Sequence, residues 1–319
     1  MRPGRGRTAP ASRSRIILYE HLSAGAAAGD AGLLEAGRAM RDAVAADLRQ
    51  IGTVELTVAG IDVHARPGET APAFVAREAA AHDAVWVIAP ETGGVLADLQ
   101  RGVAEVGASS CRWIGCDAAA IRLASSKRAT LLHLAAAGIP TPLDFGSAAD
   151  VVRWVVKPDD GAGAVATRVH ASRESALAAA DYRAQAGSVC AVEPWVEGEA
   201  LSLSLLCAAT GARLLSVNRQ RIEIGGDGVV SFAGVDLDVM NPDDPRQLRL
   251  TRLVDLIALG IPGLRGFVGV DLVWQARSGP VVIEINPRVT SAYVGLSAAL
   301  GRNLAAEIVA ASFAPDGSC

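Results

Sequence analysis

Two apolar strands joined by a short turn constrain the fold of this chain more than any other feature of its sequence. Residues 267–288 read FVGVDLVWQARSGPVVIEINPR, which places Asp271 in the first predicted strand and Glu284 and Asn286 in the second. Glu284 and Asn286 share one face because side chains alternate along a strand, and an antiparallel partner can bring Asp271 opposite them. The segment therefore predicts a hairpin with a cluster of oxygen ligands on one face.

Such a cluster suits a magnesium ion, because hard oxygen ligands bind Mg²⁺ and hold it against nucleotide phosphates. An ordinary hairpin whose polar residues face solvent is the alternative. The histidines show no spacing typical of a metal site, and the five cysteines form no CxxC pair, so a zinc site is not expected.

A strand followed by a Gly-rich loop lies upstream of the hairpin. Residues 155–164 read VVKPDDGAGA, so Lys157 lies in a predicted strand and Gly161 and Gly163 follow in the loop. Lysine can neutralise a phosphate, and glycines let backbone amides approach it. A hairpin turn has the same composition, and the loop lacks the GK[ST] ending of a P-loop.

A third segment, residues 193–199, reads EPWVEGE and lies between apolar runs. Its mixture of carboxylates with the apolar side chains of Trp195 and Val196 is typical of a nucleoside pocket. A carboxylate there can accept hydrogen bonds from ribose hydroxyls. A solvated, charged turn is the alternative interpretation.

Strand-like and helix-like segments alternate in the first third of the chain, at 15–19, 33–50, 84–89 and 95–106. Alternation of this kind predicts a Rossmann-like parallel α/β domain. After residue 189 the runs become rich in strands, which predicts an antiparallel sheet and an α/β (α+β) chain. The expected division is a disordered tail at 1–14, an N-terminal α/β domain at 15–115, a central subdomain at 116–192, and a C-terminal subdomain with the metal and substrate site at 193–319.

Charge and hydropathy exclude two classes of partner. The net charge of −4 leaves no basic field that would attract nucleic acid. The sequence has no uninterrupted apolar run of about 18 residues, so no membrane span is predicted. Its first residues lack the apolar region of a secretory signal. We therefore expect a cytoplasmic protein that binds small molecules, and its expected assembly is a homodimer.

Taken in order, these segments resemble the ATP-grasp superfamily over roughly residues 115 to 310, and Lys127 matches its first nucleotide-binding lysine. The resemblance implies the ATP-grasp fold, with ATP and Mg²⁺ or Mn²⁺ as cofactors. Ala164 stands where family members often have Ser or Thr, so one hydroxyl contact to phosphate is expected to be missing. The residues implied are Lys127 and Lys157 for the phosphates, Gly161 and Gly163 for the loop above them, the backbone around Glu193 to Val196 for adenine, Glu199 for ribose, and Asp271, Glu284 and Asn286 for the metal.

A narrower resemblance spans nearly the whole chain after the tail. It is carried by ILYEH at 17–21, LLEAGRAM at 33–40, APE at 89–91, VNRQ at 217–220 and EINPRVTSAYVGL at 284–296, which are similar to the tyramine-glutamate ligase family of methanofuran biosynthesis. His21 departs from the aromatic residue that this family often has after its first glutamate.

The narrower resemblance implies an ATP-dependent ligase that forms an acyl phosphate and releases ADP. It would join the γ-carboxylate of L-glutamate to tyramine or a tyrosine-like amine. Lys157 and Arg288 are the expected catalytic residues, since Arg288 follows the metal asparagine by two positions and can stabilise an oxyanion. Glu20, Glu91 and Arg288 are the expected substrate-binding residues.

Three other activities stay open at this point. They are an ATP-grasp ligase for other amino-acid or peptide substrates, an ATP-dependent kinase, and a nucleotide-binding protein without turnover. The products separate them, because only a ligase needs both a carboxylate and an amine to release ADP and phosphate.

Overall fold

In a computed structural model of the protein, the described residues are 13–26, 31–107, 111–145, 151–161 and 163–314. The first part of the chain forms a parallel sheet with strand order β2-β1-β3-β4. Its strands are β1 (Ser14–Glu20), β2 (Val54–Val58), β3 (Ala84–Ile88) and β4 (Arg112–Ile114), and its helices are α1 (Ala31–Arg49), α2 (Ala71–Ala79) and α3 (Val95–Glu105).

The side chains of β1 alternate between two apolar cores, which explains why this strand is a continuous apolar run. Ile16 and Leu18 pack in one core with Val44 and Leu48 of α1. Tyr19 packs in the other core with residues of α2 and α3. Since both faces of the sheet are covered by helices, the free edge above the carboxyl ends of β1 and β3 is where a ligand can bind.

The described residues between 118 and 194 add three helices and a small antiparallel sheet of order β6-β5-β7. The side chain of Ser126 caps the second helix by accepting from the Ala129 amide at 3.1 Å, so Lys127 is the first helical residue. The elements are α4 (Ala118–Ala124), α5 (Lys127–Ala136), β5 (Trp154–Pro158), β6 (Arg168–His170), α6 (Arg173–Gln185) and β7 (Cys190–Pro194).

The last part of the chain is built on an antiparallel sheet of order β10-β9-β8-β11-β12. The apolar residues Phe267, Tyr293 and Ile308 of this part share a core with Ile16 of β1, so the two larger sheets pack as one body. The elements are β8 (Glu199–Ala208), β9 (Gly211–Ile224), β10 (Val230–Asp236), α7 (Gln247–Gly260), β11 (Gly266–Gln275), β12 (Gly279–Asn286), α8 (Leu296–Ala299) and α9 (Leu304–Phe313).

The predicted fold class is confirmed, with a parallel α/β sheet followed by antiparallel sheets. The domain boundaries stay predictions, and the one at 192/193 falls inside β7, which pairs with β5 as far as Pro194. Most of the predicted tail, residues 1–12, lies outside the described residues. Among the described residues, none of the helices has the length and apolar character needed to cross a bilayer.

Candidate functional site

The hairpin of β11 and β12 brings the predicted oxygen cluster together. Asp271 lies directly opposite Glu284, and the next residues on the same face are Gly269 and Asn286. Asn286 donates from Nδ2 to Asp271 Oδ2 at 3.2 Å, and Gln220 of β9 donates from Nε2 to Asp271 Oδ1 at 3.0 Å. The amide donors fix the Asp271 carboxylate and leave the Asn286 amide oxygen for another partner.

The electrostatics of this cluster favour a bound cation. Burial and the nearby charge of Glu284 raise the pKa of Asp271 to about 7, and burial also raises the pKa of Glu284. Lys127 partly offsets the free-energy cost of burying the two carboxylates, since its Nζ lies 3.2 Å from Glu284 Oε1. A divalent cation would relieve the repulsion further, and two carboxylates with an amide oxygen form a donor set that fits Mg²⁺ or Mn²⁺.

No group of three or more His, Cys, Asp and Glu side chains that could hold a metal occurs in the part of the chain that the structure describes. A cation at the hairpin would therefore depend on Asp271, Glu284 and Asn286 together with ligand oxygens. This dependence is typical of Mg²⁺, which is commonly held by one or two carboxylates plus substrate phosphates.

A first cavity of ≈ 480 Å³ lies between the small antiparallel sheet and the last sheet, and we call it the nucleotide cavity. Its volume suits a small-molecule ligand, and it combines cationic, acidic and apolar walls. It is lined by Lys127, Lys157, Gly163, Glu193, Val196, Glu199, Asp271 and Glu284, which are predicted site residues, and also by Thr167, Trp195, Arg219, Gln220 and Phe232.

A second cavity of ≈ 460 Å³ opens above the carboxyl ends of β1 and β3, and we call it the substrate cavity. Four residues, Gly163, Gln220, Phe232 and Asp271, line both cavities. The two cavities therefore meet at the oxygen cluster. The predicted site residues Glu20, Gly161, Asn286 and Arg288 also line the substrate cavity.

Two charged side chains on the wall of the substrate cavity are held by short contacts. Glu20 accepts from the amides of Leu22 at 3.2 Å and Ser23 at 2.7 Å, and it lies so close to Gly37 that a Cβ there would be 2.6 Å from Oε1. Arg288 donates from Nη2 to Glu91 Oε2 at 2.9 Å. An acidic and a basic side chain thus line the same cavity.

Comparison with known protein families decides the family. The model of the ATP-grasp domain matches residues 124–292, which is more than half of the chain, and the model of the pre ATP-grasp 3 domain matches residues 40–121. This chain belongs to the ATP-grasp family.

Relatives of this ATP-grasp chain include the tyramine-L-glutamate ligase of Methanocaldococcus jannaschii, which is 28% identical over 216 residues, or 67% of this chain. A second such ligase, from Methanocaldococcus fervens, is also 28% identical. The matched region spans 58% and 61% of the lengths of these two relatives, so this chain covers less than two thirds of either protein.

Solved structures share the ATP-grasp fold. A structure of an ATP-grasp superfamily protein from Archaeoglobus fulgidus has a TM-score of 0.69 and 22% identity, with 93% of this chain and 88% of that chain covered. The D-alanine-D-alanine ligase of Bacillus anthracis complexed with ATP has a TM-score of 0.69 and 15% identity, with 95% and 97% covered. At these identities the likeness concerns the fold alone.

The two lysines of the ATP-grasp chain lie on the wall of the nucleotide cavity and have protein partners there. The Lys127 amide donates to the Asp159 carbonyl at 2.9 Å, which ties the start of α5 to the loop after β5. Lys127 also donates from Nζ to the Gly161 carbonyl. Lys157 lies 2.9 Å from Glu193 across β5 and β7, and both side chains are buried.

Replacing Lys157 by Met is expected to weaken ATP binding by about 10- to 100-fold, since a charge-assisted hydrogen bond contributes about 1.5–3 kcal/mol. The variant is also expected to lose stability, because Lys157 pairs with Glu193. Glu193 would be left buried without its partner, which costs about 3–5 kcal/mol. Calorimetry with ATP and thermal unfolding measure the two effects separately.

The double variant Lys157→Met, Glu193→Gln is the matched control for that prediction. Because it removes both charges, it should recover thermal stability without recovering the affinity for ATP. Unchanged ATP affinity in both variants would remove Lys157 from the nucleotide site.

Glu199, the predicted ribose ligand, lies on the nucleotide cavity but already has two partners. Arg219 donates to its Oε1 at 2.7 Å and Arg246 donates to its Oε2 at 2.7 Å. The sequence-based prediction did not include these arginines. A ribose hydroxyl would therefore meet a carboxylate whose orientation is already fixed.

Other residues of the site were also absent from the prediction. Ala164 in the Gly-rich loop has no hydroxyl to offer a phosphate. Thr167, three residues later, has one and lines the same cavity. Asp160 accepts from the Gly93 amide at 2.8 Å, so the loop is tied to the turn after β3. Ala162 in this loop lies outside the described residues.

Proposed function

We propose that this protein is an ATP-dependent carboxylate-amine ligase that releases ADP and phosphate. The observation that carries the proposal is the meeting of the two cavities at Asp271 and Gln220. One cavity has the lysines and the oxygen cluster suited to a nucleoside triphosphate, and the other has an acidic and a basic group suited to an amine and a carboxylate. A terminal phosphoryl group and a carboxylate can therefore come into contact at the junction.

The reaction has two steps, formation of an acyl phosphate and its capture by the amine. A carboxylate oxygen of the substrate forms a bond to the γ-phosphorus of ATP while the bond from that phosphorus to the ADP oxygen breaks. The ammonium group first loses a proton to solvent, and the neutral amine nitrogen then attacks the carbonyl carbon of the acyl phosphate. The bond from that carbon to the phosphate oxygen breaks, and the nitrogen loses its second proton to the departing phosphate. Holding the reactants in line contributes much of the acceleration in such reactions.

The residues of the nucleotide cavity would hold the phosphates and their metal. Lys127 and Lys157 neutralise phosphate charge, and the amides around Gly161 and Gly163 approach the phosphoryl oxygens. Asp271, Glu284 and Asn286 would hold Mg²⁺ or Mn²⁺. A metal bound there would supply further positive charge to the phosphoryl oxygens.

The residues of the substrate cavity would orient the other two reactants. The Arg288 guanidinium donates hydrogen bonds to the reacting carboxylate and to the oxyanion that develops at its carbon. Glu20 holds the cationic form of the amine before the proton is lost. Both side chains line the cavity, as these roles require.

For the substrates, the proposal is the γ-carboxylate of L-glutamate and tyramine or a tyrosine-like amine. The relatives named tyramine-L-glutamate ligase support this choice. The substrate cavity also supports it, because Arg288 is the only lysine or arginine among the described lining residues. Most of the wall is apolar and suits an amine with an aromatic body, including Leu22, Leu33, Met40, Ile88, Val165 and Phe232.

The experiment is a screen of the purified protein with ATP, Mg²⁺, L-glutamate and a panel of amines that includes tyramine and tyrosine. Phosphate release and product mass are measured together. We expect ADP and phosphate only when a carboxylate and an amine are both present, with the product mass of γ-glutamyltyramine.

Each other outcome of this screen excludes a defined part of the proposal. A product that retains phosphate would indicate a kinase, and ATP binding without any product would indicate a binding protein. Turnover with a carboxylate other than glutamate would refute the substrates and leave the ligase reaction standing.

A further inference from the structure

Glu91 lies in the turn after β3 and is almost completely buried, with 4% of its surface exposed. Its neighbours Pro90 and Thr92 line the substrate cavity, whereas Glu91 is not among the described residues that line either cavity. Its Oε2 accepts from Arg288 Nη2 at 2.9 Å. The Glu91 carboxylate therefore faces an arginine side chain and not the space that a substrate would occupy.

Arg288 depends on this contact for its orientation. Its side chain is 10% exposed, and its other hydrogen bond within the described residues runs from Nη1 to the Val289 carbonyl at 3.2 Å. Arg288 Nε has no hydrogen-bond partner among the described residues. One side of the guanidinium is thus held by Glu91 and Val289, and each terminal nitrogen keeps a second N–H for which the described residues show no acceptor.

The two members of the pair come from distant parts of the chain. Glu91 follows a strand of the parallel sheet, and Arg288 follows β12 of the last sheet, which carries Glu284 and Asn286. A long, flexible arginine needs such a partner, because a buried guanidinium without a counter-charge would be strongly destabilised and free to change its rotamer.

We propose that Glu91 is a positioning residue that acts through Arg288 and does not itself hold the amine. The proposal rests on the proposed ligase function, and it replaces the expectation that Glu91 binds the substrate directly. Glu91 compensates the charge of Arg288 in the buried site and directs its free N–H groups toward the reacting carboxylate. Partners that orient metal ligands typically change activity by about 10- to 100-fold when they are removed, and we expect the same scale for a partner that orients Arg288.

The test is a double-mutant cycle with Glu91→Gln, Arg288→Ala and the double variant. Glu91→Gln should lower kcat by about 10- to 100-fold with the KM for the amine and the affinity for ATP unchanged. In the Arg288→Ala background the same change should have no further effect on kcat, because Glu91 acts only through Arg288.

A control and a second readout separate the proposal from its alternatives. Glu69→Gln breaks a comparable contact to Arg77 at 2.8 Å away from both cavities and should leave kcat unchanged. Multiplicative losses of kcat in the double variant, or a raised KM for the amine in Glu91→Gln, would overturn the proposal.

Glutamate binding by calorimetry tests the pair without turnover. Glu91→Gln should weaken glutamate binding in the wild-type background and leave it unchanged in the Arg288→Ala background. A wild-type protein that binds glutamate but releases no phosphate with any amine would refute the ligase function, and this cycle would still decide the role of Glu91. Glutamate binding that Glu91→Gln leaves intact, or that the wild-type protein lacks, would overturn the positioning role.

Discussion

Replacing Glu284 by Gln is expected to lower magnesium-dependent turnover by at least about 10²-fold, the scale on which one group that stabilises transition-state charge contributes. The variant removes a carboxylate from the donor set and also the partner that lies 3.2 Å from Lys127 Nζ. It keeps the volume of the side chain, so no cavity is created.

The fold should persist in this variant. Burial raises the pKa of Glu284, which means that removing the ionised carboxylate from water costs free energy on folding. Gln has no charge to desolvate, and this gain opposes the loss of the contact with Lys127. Asn286→Ala should behave similarly, since it removes an amide oxygen from the same donor set.

Phosphate release at increasing Mg²⁺ concentration, together with thermal unfolding, measures both expectations. Glu223→Gln is the control, because Glu223 is an exposed carboxylate on β9 and lies on neither cavity wall. Near-normal rates in both Glu284→Gln and Asn286→Ala would show that the oxygen cluster does not hold the catalytic metal.

The hairpin that carries this cluster could be predicted because its apolar alternation and its polar residues indicate the same structure. Asp271, Glu284 and Asn286 are separated by at most 15 residues, and the two-residue periodicity of a strand sets which of them share a face. The local pattern was sufficient here, since a hairpin brings together residues that are close in sequence.

The second half of β9 shows where the local pattern fails. The apolar run that indicates a strand ends at Val217, whereas β9 continues to Ile224 and pairs with β10. Its continuation reads NRQRIEI, which is mostly polar and charged. The backbone of this part pairs with neighbouring strands, and its side chains do not belong to the apolar cores. Arg219 and Gln220 lie in this part, so the site prediction missed them together with the strand.

The contact between Glu91 and Arg288 could not be predicted for a different reason. The two residues are 197 positions apart, and each also fits a role as a separate ligand of the substrate. Only the packing of the parallel sheet against the last sheet brings them into contact. A single sequence gives the chemical types of such residues but not the pairing between them.

Replacing Arg288 by Ala is expected to reduce turnover by about 10²- to 10³-fold, since it removes the cation that faces the developing oxyanion. ATP binding should be largely preserved, because Arg288 lines the substrate cavity and is not among the described residues of the nucleotide cavity. The loss should therefore appear in kcat and in the KM for the carboxylate.

The stability of this variant has to be measured in the same experiment. Without Arg288 the Glu91 carboxylate is buried without its counter-charge, which costs about 3–5 kcal/mol. Kinetics should be recorded below the unfolding temperature of the variant, and ATP binding by calorimetry reports the folded fraction.

Two further substitutions decide whether the loss belongs to the site. Arg249→Ala removes an arginine that donates to the Ser278 carbonyl at 2.8 Å outside both cavities, so it should leave turnover unchanged. Arg288→Lys keeps the charge but loses the planar fork that grips a carboxylate, and its turnover should lie between wild type and Arg288→Ala. Wild-type turnover in a folded Arg288→Ala protein would exclude Arg288 from catalysis, and the nucleotide site would have to supply the stabilising charge through Lys127 or Lys157 alone.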